Sequence, residues 1–220
     1  LYYIFLYSFL LPVIVYVIFF KKVKKETVGN ILVIYSVLFF LLNFIFDSIP
    51  KDYIKTYYFS YTFFEYLSFA SLLFLKTEGK NFRRIILITS AIFIVFQIYY
   101  YIAGNQRVLD SVPIGIATIL VFIFIINYFL QEFKTVKDHF IYTNFMFWIC
   151  VGIMVYLGLS FFFNIMADHL KDNNITKYWE ITYIFDIVKN GLFGWGIIAL
   201  TKQASPKSKK STSLPYLDMV

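Results

Sequence analysis

Residues 1–25 read LYYIFLYSFLLPVIVYVIFFKKVKK: twenty positions without a charge, then Lys21, Lys22, Lys24 and Lys25 almost together. A helix rises 1.5 Å per residue, so about 20 apolar residues match the roughly 30 Å hydrocarbon core of a bilayer. The lysines that follow mark the point where the chain meets head groups and water. Working outward, the same alternation recurs. Apolar stretches cover residues 28–46, 57–75, 85–103, 112–130, 140–166 and 178–201, and most of the charges fall between them. The stretch 140–166 exceeds one bilayer thickness and is expected to tilt or to project beyond the hydrocarbon. The sequence therefore predicts an all-α polytopic membrane protein, a seven-transmembrane-helix bundle over residues 1–201. Residues 202–220 shift to Lys, Ser and Pro, a composition expected to form a basic disordered tail. The first run has no basic residues ahead of it and no small-residue cleavage site after it, so it is expected to stay as a span.

Composition agrees. Of 220 residues, 60% are hydrophobic, 23% aromatic and 15% charged, against about 45–50% apolar and about 25% charged in a soluble domain. Seven spans leave no room for a nucleotide-binding or kinase module. The sequence contains no phosphate-binding glycine loop, no H-E-x-x-H and no nucleophile elbow. Cys150 is the single cysteine, so no disulfide can form within the chain. His139 and His169 flank one apolar segment and lie too far apart to share a metal. Neither a metal nor another cofactor is expected, and the 28 Phe and 19 Tyr are assigned no cofactor role.

Basic residues set the orientation, because Lys and Arg in short loops stay on the cytoplasmic side. One set of alternate connections, including the tail, carries fourteen of the twenty basic residues, from Lys21 through Arg83 and Lys137 to Lys210. The other set carries five, namely Lys51, Lys55, Arg107, Lys171 and Lys177, and Lys189 falls inside the last span. The amino terminus is thus expected outside and the carboxyl terminus in the cytoplasm. The net charge of +7 follows from that bias and suits an anionic inner leaflet, with no nucleic-acid partner implied.

An ionisable side chain deep in a bilayer costs at least about 2.5–3.5 kcal/mol on insertion scales, so each needs an account. Glu65 and Asp186 each lie eight residues from the outer end of their span, which puts both about 12 Å below the surface. Lys189 follows Asp186 by one turn on the same helix face. Tyr61, Glu65 and Ser68 form one stripe; Thr182, Asp186, Lys189 and Asn190 form another. Two readings remain open. Asp186 and Lys189 neutralise each other within one helix, with Glu65 bonded elsewhere; or all three make one site of formal charge −1, suited to a small cationic or polar ligand or to proton exchange. Gln97, Asn43 and Asn164 add polarity to the outer half, so the candidate ligand-binding set is Glu65, Asp186, Lys189, Tyr61, Asn190 and Gln97. Asn127 and Asn144 near the inner side are expected to make ordinary interfacial hydrogen bonds. Gly191, Gly194 and Gly196 permit close helix approach or a local bend.

A lysine in the last of seven helices invites comparison with microbial rhodopsins, and the comparison fails. Their aspartate precedes the Schiff-base lysine by four residues, whereas Asp186 precedes Lys189 by three, and their Arg-rich, Trp-Asp and Trp-Tyr-Pro patterns have no counterpart. Three segments resemble instead an uncharacterised family of small bacterial seven-helix integral membrane proteins. They are Phe64-Glu65-Tyr66-Leu67-Ser68-Phe69; Phe147-Trp148-Ile149-Cys150-Val151-Gly152 with Tyr156-Leu157-Gly158; and Ile187-Val188-Lys189-Asn190-Gly191-Leu192-Phe193. The resemblance implies the seven-helix fold and a bacterial inner membrane, and it supplies no substrate.

Three function classes follow. A sensor would bind a small polar ligand in the outer half and pass a helix rearrangement to a separate cytoplasmic or membrane signalling partner. A small-molecule or proton-coupled transporter is the alternative, though repeat symmetry is lacking. An intramembrane lipid-modifying enzyme comes third, because only Glu65 and Asp186 offer an acid/base pair.

Overall fold

The computed structural model describes residues 1–24, 26–103, 111–135, 141–167 and 172–204. Every regular element among them is helical. The first apolar run is divided into α1 (Tyr2–Ser8), α2 (Leu10–Ile18) and α3 (Phe20–Val23). The division after Ser8 has a local cause: Pro12 has no N–H to return to the Ser8 carbonyl, and its ring crowds that oxygen. Phe9, at the break, keeps right-handed helical angles (φ −62°, ψ −25°), whereas Phe19 departs further (φ −102°, ψ 16°). There follow α4 (Thr27–Ile45), α5 (Ile54–Lys76), α6 (Lys80–Ala103), α7 (Ser111–Thr135), α8 (Phe145–Ala167) and α9 (Asp172–Ala204).

Five stretches are long and apolar enough to cross a membrane: Thr27–Ser48, Lys80–Ala103, Val112–Lys134, Phe145–Phe163 and Glu180–Gln203. Tyr2–Ile18 is a shorter apolar helix. The 23-residue α5 has the length but carries Tyr, Thr and Ser along much of its course. The helix of the last span continues past Thr201 through Lys202 and Gln203 to Ala204, where Gln203 Nε2 donates to the Thr143 carbonyl at 2.8 Å. The rest of the basic tail, His139, His169 and Arg107 lie outside the described residues.

Packing closes the helices into a ring. α1 to α3 lie against α4 and α9, α4 against α5, α5 against α7, α7 against α8, and α8 most extensively against α9. α6 sits outside this ring on α5 and α7. Burial follows the same order: half of the apolar window of α9 is buried but only 17% of that of α6. The outer stripe of α6, Ile88, Ile92, Val95, Tyr99 and Ile102, is 59–76% exposed, the apolar surface that lipid tails accept and water does not.

Small residues bring α9 close to its neighbours. A Cβ on Gly194 would fall 2.2 Å from Leu11 Cδ2 of α2, and one on Gly196 would lie 3.0 Å from Ile149 Cγ1 of α8. Close approach is thus their role; α9 runs unbroken from Asp172 to Ala204 without the local bend they would also have allowed. Between α5 and α6 the chain reverses at Gly79 (φ +102°), and Arg83 Nε caps the end of α5 by donating to the Thr77 carbonyl at 2.9 Å.

Candidate functional site

Lys189 lies at the centre of the ring and is fully buried. Its Nζ donates to Asp186 Oδ1 at 2.5 Å, one turn back on α9, and to the Tyr35 hydroxyl of α4 at 2.7 Å. Below it is the ring of Tyr156 of α8, with Nζ 3.6 Å from the centroid; Tyr35 and Phe9 follow at 5.3 and 5.4 Å. An ammonium out of water needs its protons directed at acceptors and its remaining field met by π faces, and α4, α8, α9 and the break between α1 and α2 supply these. Tyr35 is itself held by Phe39, Phe69 and Phe193 at centroid distances of 4.4, 5.3 and 5.8 Å.

Glu65 approaches from α5. The Tyr156 phenol lies against the Glu65 carboxyl and the Tyr61 hydroxyl, so one side chain touches both the acid on α5 and the lysine on α9. Among the described ion pairs, Lys189 is joined to Asp186 and not to Glu65. The pair within α9 forms, and Glu65 stands beside it through Tyr156. Glu65 Oε1 is buried with no hydrogen-bond partner. Glu65 is one of the residues lining a narrow, mostly apolar cleft between α5 and α7, with Thr62, Phe69, Thr118, Val121 and Leu157. The deepest part of the cleft has room for about one water molecule.

The other candidates divide. Tyr61 joins the centre, and its ring packs edge-on to Phe39 at 4.7 Å. Asn190 is buried next to Lys189 but bonds outward, its Nδ2 donating to Ser8 Oγ at 2.8 Å and tying α9 to α1. Gln97 donates to the Phe59 carbonyl at 3.1 Å and links α6 to α5; among the described residues no bond joins it to Glu65, Asp186 or Lys189. Ser68 returns its proton to the Phe64 carbonyl at 2.7 Å. Asn43 likewise bonds back to Phe39, at 2.8 Å, and the Asn164 side chain lies outside the described set. At the other end of the bundle Asn144 donates to Tyr128 and Glu132 at 3.1 and 2.6 Å, and Gln131 donates to Asn127 at 2.5 Å. These are the interfacial bonds expected there. Cys150 is a free, fully buried thiol.

Sequence reasoning missed Tyr35, Tyr156 and Phe9. Polarity marked the acids and the lysine, but nothing separates these three rings from the other aromatics in a chain that holds 28 Phe and 19 Tyr. The arrangement sets a buried, unpartnered carboxyl oxygen beside a phenol that reaches a buried ion pair on the most central helix. No group of three or more His, Cys, Asp or Glu among the described residues is placed to hold a metal.

No curated protein and no solved structure matches the chain. A family match begins at Lys80, so it takes in α6 to α9 with Tyr156, Asp186 and Lys189 and leaves out the Glu65 segment that also carried the resemblance. Since residues 80–220 match it, well over half of the sequence, the chain belongs to the family of unknown function DUF5373.

Proposed function

We propose that the protein is a seven-span sensor of the bacterial cytoplasmic membrane, amino terminus outside, with a small polar or cationic ligand bound in the outer half of the bundle. The alternation of basic loops supports the topology. The six ring elements with the peripheral α6 support seven crossings, α5 crossing by virtue of its length and its neighbours on both sides. The observation that carries the ligand reading is Glu65 Oε1, buried and unpartnered on a residue that lines a cleft. An acceptor left so costs about 1–3 kcal/mol, which a ligand donor would recover.

Transmission follows from Tyr156. A ligand that moves the Glu65 carboxyl shifts the phenol beneath Lys189, and Lys189 is fixed to α9 together with Asp186. α9 continues fourteen residues past Lys189 to Gln203, bonded to the turn that precedes α8. Displacing α9 would present a changed inner end to a separate signalling partner.

The test uses purified full-length protein in detergent with Gln203→Cys as an inner-end reporter, Cys150 being fully buried. Methylammonium chloride is expected to raise the melting temperature and to change the maleimide labelling rate at position 203, and Glu65→Gln is expected to abolish both effects. Stabilisation without a labelling change would remove the signalling half of the reading. Glu65-dependent uptake of labelled methylammonium into proteoliposomes would replace the sensor by a carrier.

A further inference from the structure

Although α9 is the most central helix, one side of it is open. Ile184, Val188, Gly191, Trp195 and Lys202 recur at helical spacing and share that side. Ile184, Val188 and Lys202 are exposed and Trp195 is 50% exposed, whereas Lys189, Phe193, Ile197 and Leu200 on the other side are buried. Gly194 and Gly196 flank Trp195, and they draw in Leu11 of α2 and Ile149 of α8. The open side of α9 is therefore the floor of a groove whose walls are α2 and α8. Gly191 leaves a notch in that floor, since nothing lies within 4 Å of its Cβ position.

The inner end of the groove is cationic. Asn190 bonds Ser8 and Gly194 meets Leu11, so the first run and α9 are parallel, and this register carries Phe20–Lys22 to the level of the last turn of α9. The break at Phe19 turns α3 onto α9, and the two pack together. Lys21, Lys22 and Lys24 are exposed there, as is Lys202. Among the described residues no acid pairs with any of the four, because Glu26, the nearest in sequence, is taken by Lys76 at 3.5 Å. Between this cluster and the apolar floor stands Trp195, edge-on to Trp148 at 6.1 Å. At 1.5 Å per residue Trp195 lies about 10 Å from Lys202 along the helix and Gly191 about 16 Å, close to the depth of one leaflet. Indoles settle where hydrocarbon gives way to head groups. From the notch inward the groove thus changes from apolar to indole to cationic, the order in which a phospholipid presents acyl chain, ester region and phosphate.

We propose that this groove binds one anionic phospholipid of the inner leaflet, with its acyl chain over the Gly191 notch and its phosphate on Lys22 and Lys202. A zwitterionic lipid fills the same apolar floor but brings no net charge to lysines that lack an acid, so the head-group charge selects the occupant. The site goes beyond the Glu65 reading and shares with it only the orientation of the chain. It lies on the opposite side of α9 from Asp186 and Lys189, and it ties the inner end of that helix to the leaflet.

The experiment uses the full-length protein in phosphatidylcholine vesicles that contain phosphatidylglycerol, with brominated acyl chains on one lipid or the other at equal mole fraction. Bromine quenches indole fluorescence on contact, and the chain has three Trp. Phosphatidylglycerol is expected to be preferred over phosphatidylcholine about tenfold, as about 1 kcal/mol for each of two lysines allows. Trp195→Phe should lose most of the difference in quenching. The pair Lys22→Gln with Lys202→Gln should bring the two lipids level. Arg84→Gln, on α6, which packs on α5 and α7, should keep the preference. Equal quenching by the two lipids in the wild type would overturn the proposal. So would an Arg84→Gln effect as large as that of the lysine pair, the mark of diffuse surface charge. A preference abolished by inorganic phosphate at constant ionic strength would give the lysines to a free anion, again against the proposal. Glu65→Gln should keep the full preference, so this site and the ligand reading stand or fall separately.

Discussion

At the scale of the residue, Lys189 is the most constrained cation among the described residues, since each of its neighbours answers a different part of its desolvation. Asp186 and Tyr35 accept its protons, and the Tyr156 ring lies 3.6 Å from Nζ. Removing it leaves Asp186 buried without a partner, and breaking a buried pair in this way costs about 3–5 kcal/mol. Lys189→Met should therefore lower stability by that order, and adding Asp186→Asn should restore most of the loss. Glu65→Gln should restore a smaller part, because Glu65 reaches Lys189 only across Tyr156. Melting of the singles and both doubles in detergent measures these couplings. A Glu65–Lys189 coupling below about 0.5 kcal/mol would be the additivity of independent sites and would detach Glu65 from the centre. The acids and the lysine were legible in sequence because a charge in an apolar run stands out against its neighbours. Tyr35, Tyr156 and Phe9 were not: an aromatic in an aromatic-rich span signals only apolarity, and its role arises from which helices are adjacent.

At the scale of the element, α9 owes its central place to what it lacks as much as to what it carries. Gly194 and Gly196 of α9 and Gly152 of α8 let backbones meet where lipid offers no hydrophobic drive for association and contact alone must hold helices together. The pattern Gly191, Gly194 and Gly196 announced close approach without saying toward what, since three glycines within six positions point to more than one side of a helix. Their surroundings differ accordingly. Gly191 has nothing within 4 Å of its Cβ position, whereas a Cβ on Gly152 of α8 would meet Leu192 Cβ at 3.2 Å, Phe193 Cε1 at 3.3 Å and the Lys189 carbonyl at 3.4 Å. Gly152→Ala should thus cost about 1–3 kcal/mol by forcing α8 off α9 beside the lysine. Gly191→Ala should be neutral or stabilising by up to about 1 kcal/mol through helix propensity. Comparing the two melting temperatures checks the close approach, and equal effects would contradict it. The bounds of the longer helices were readable from hydropathy to within six residues, the polar first turns of α6 and α9 and the last turn of α7 extending beyond the apolar runs. The division of the first run into α1, α2 and α3 was not, although Pro12 was the visible cause of one break.

At the scale of the whole molecule, hydropathy and charge carry different information. Apolar length identifies what can cross, and five stretches satisfy it outright. Charge identifies which connections share a side, and it does so even for α5, whose tyrosines and threonines dilute its hydropathy. Lys51 and Lys55 stand at one end of α5, and Lys76, Lys80, Arg83 and Arg84 gather at the other. The basic end holds Lys76 both in an ion pair with Glu26 at 3.5 Å and over the Phe145 ring at 4.9 Å. That brings together the α3–α4 connection, the end of α5 and the start of α8, three points that seven crossings assign to one side and that a bundle in which α5 alone failed to cross would not. A reporter active only in the cytoplasm should then work when fused after Lys24, Arg84, Lys137 or Lys210 and fail after Lys55, Arg107 or Lys171. The fusion after Lys55 is the most discriminating. If α5 did not cross, residues 55 and 84 would lie on one side, both fusions would report alike, and Glu65 would have no outer half in which to meet a ligand.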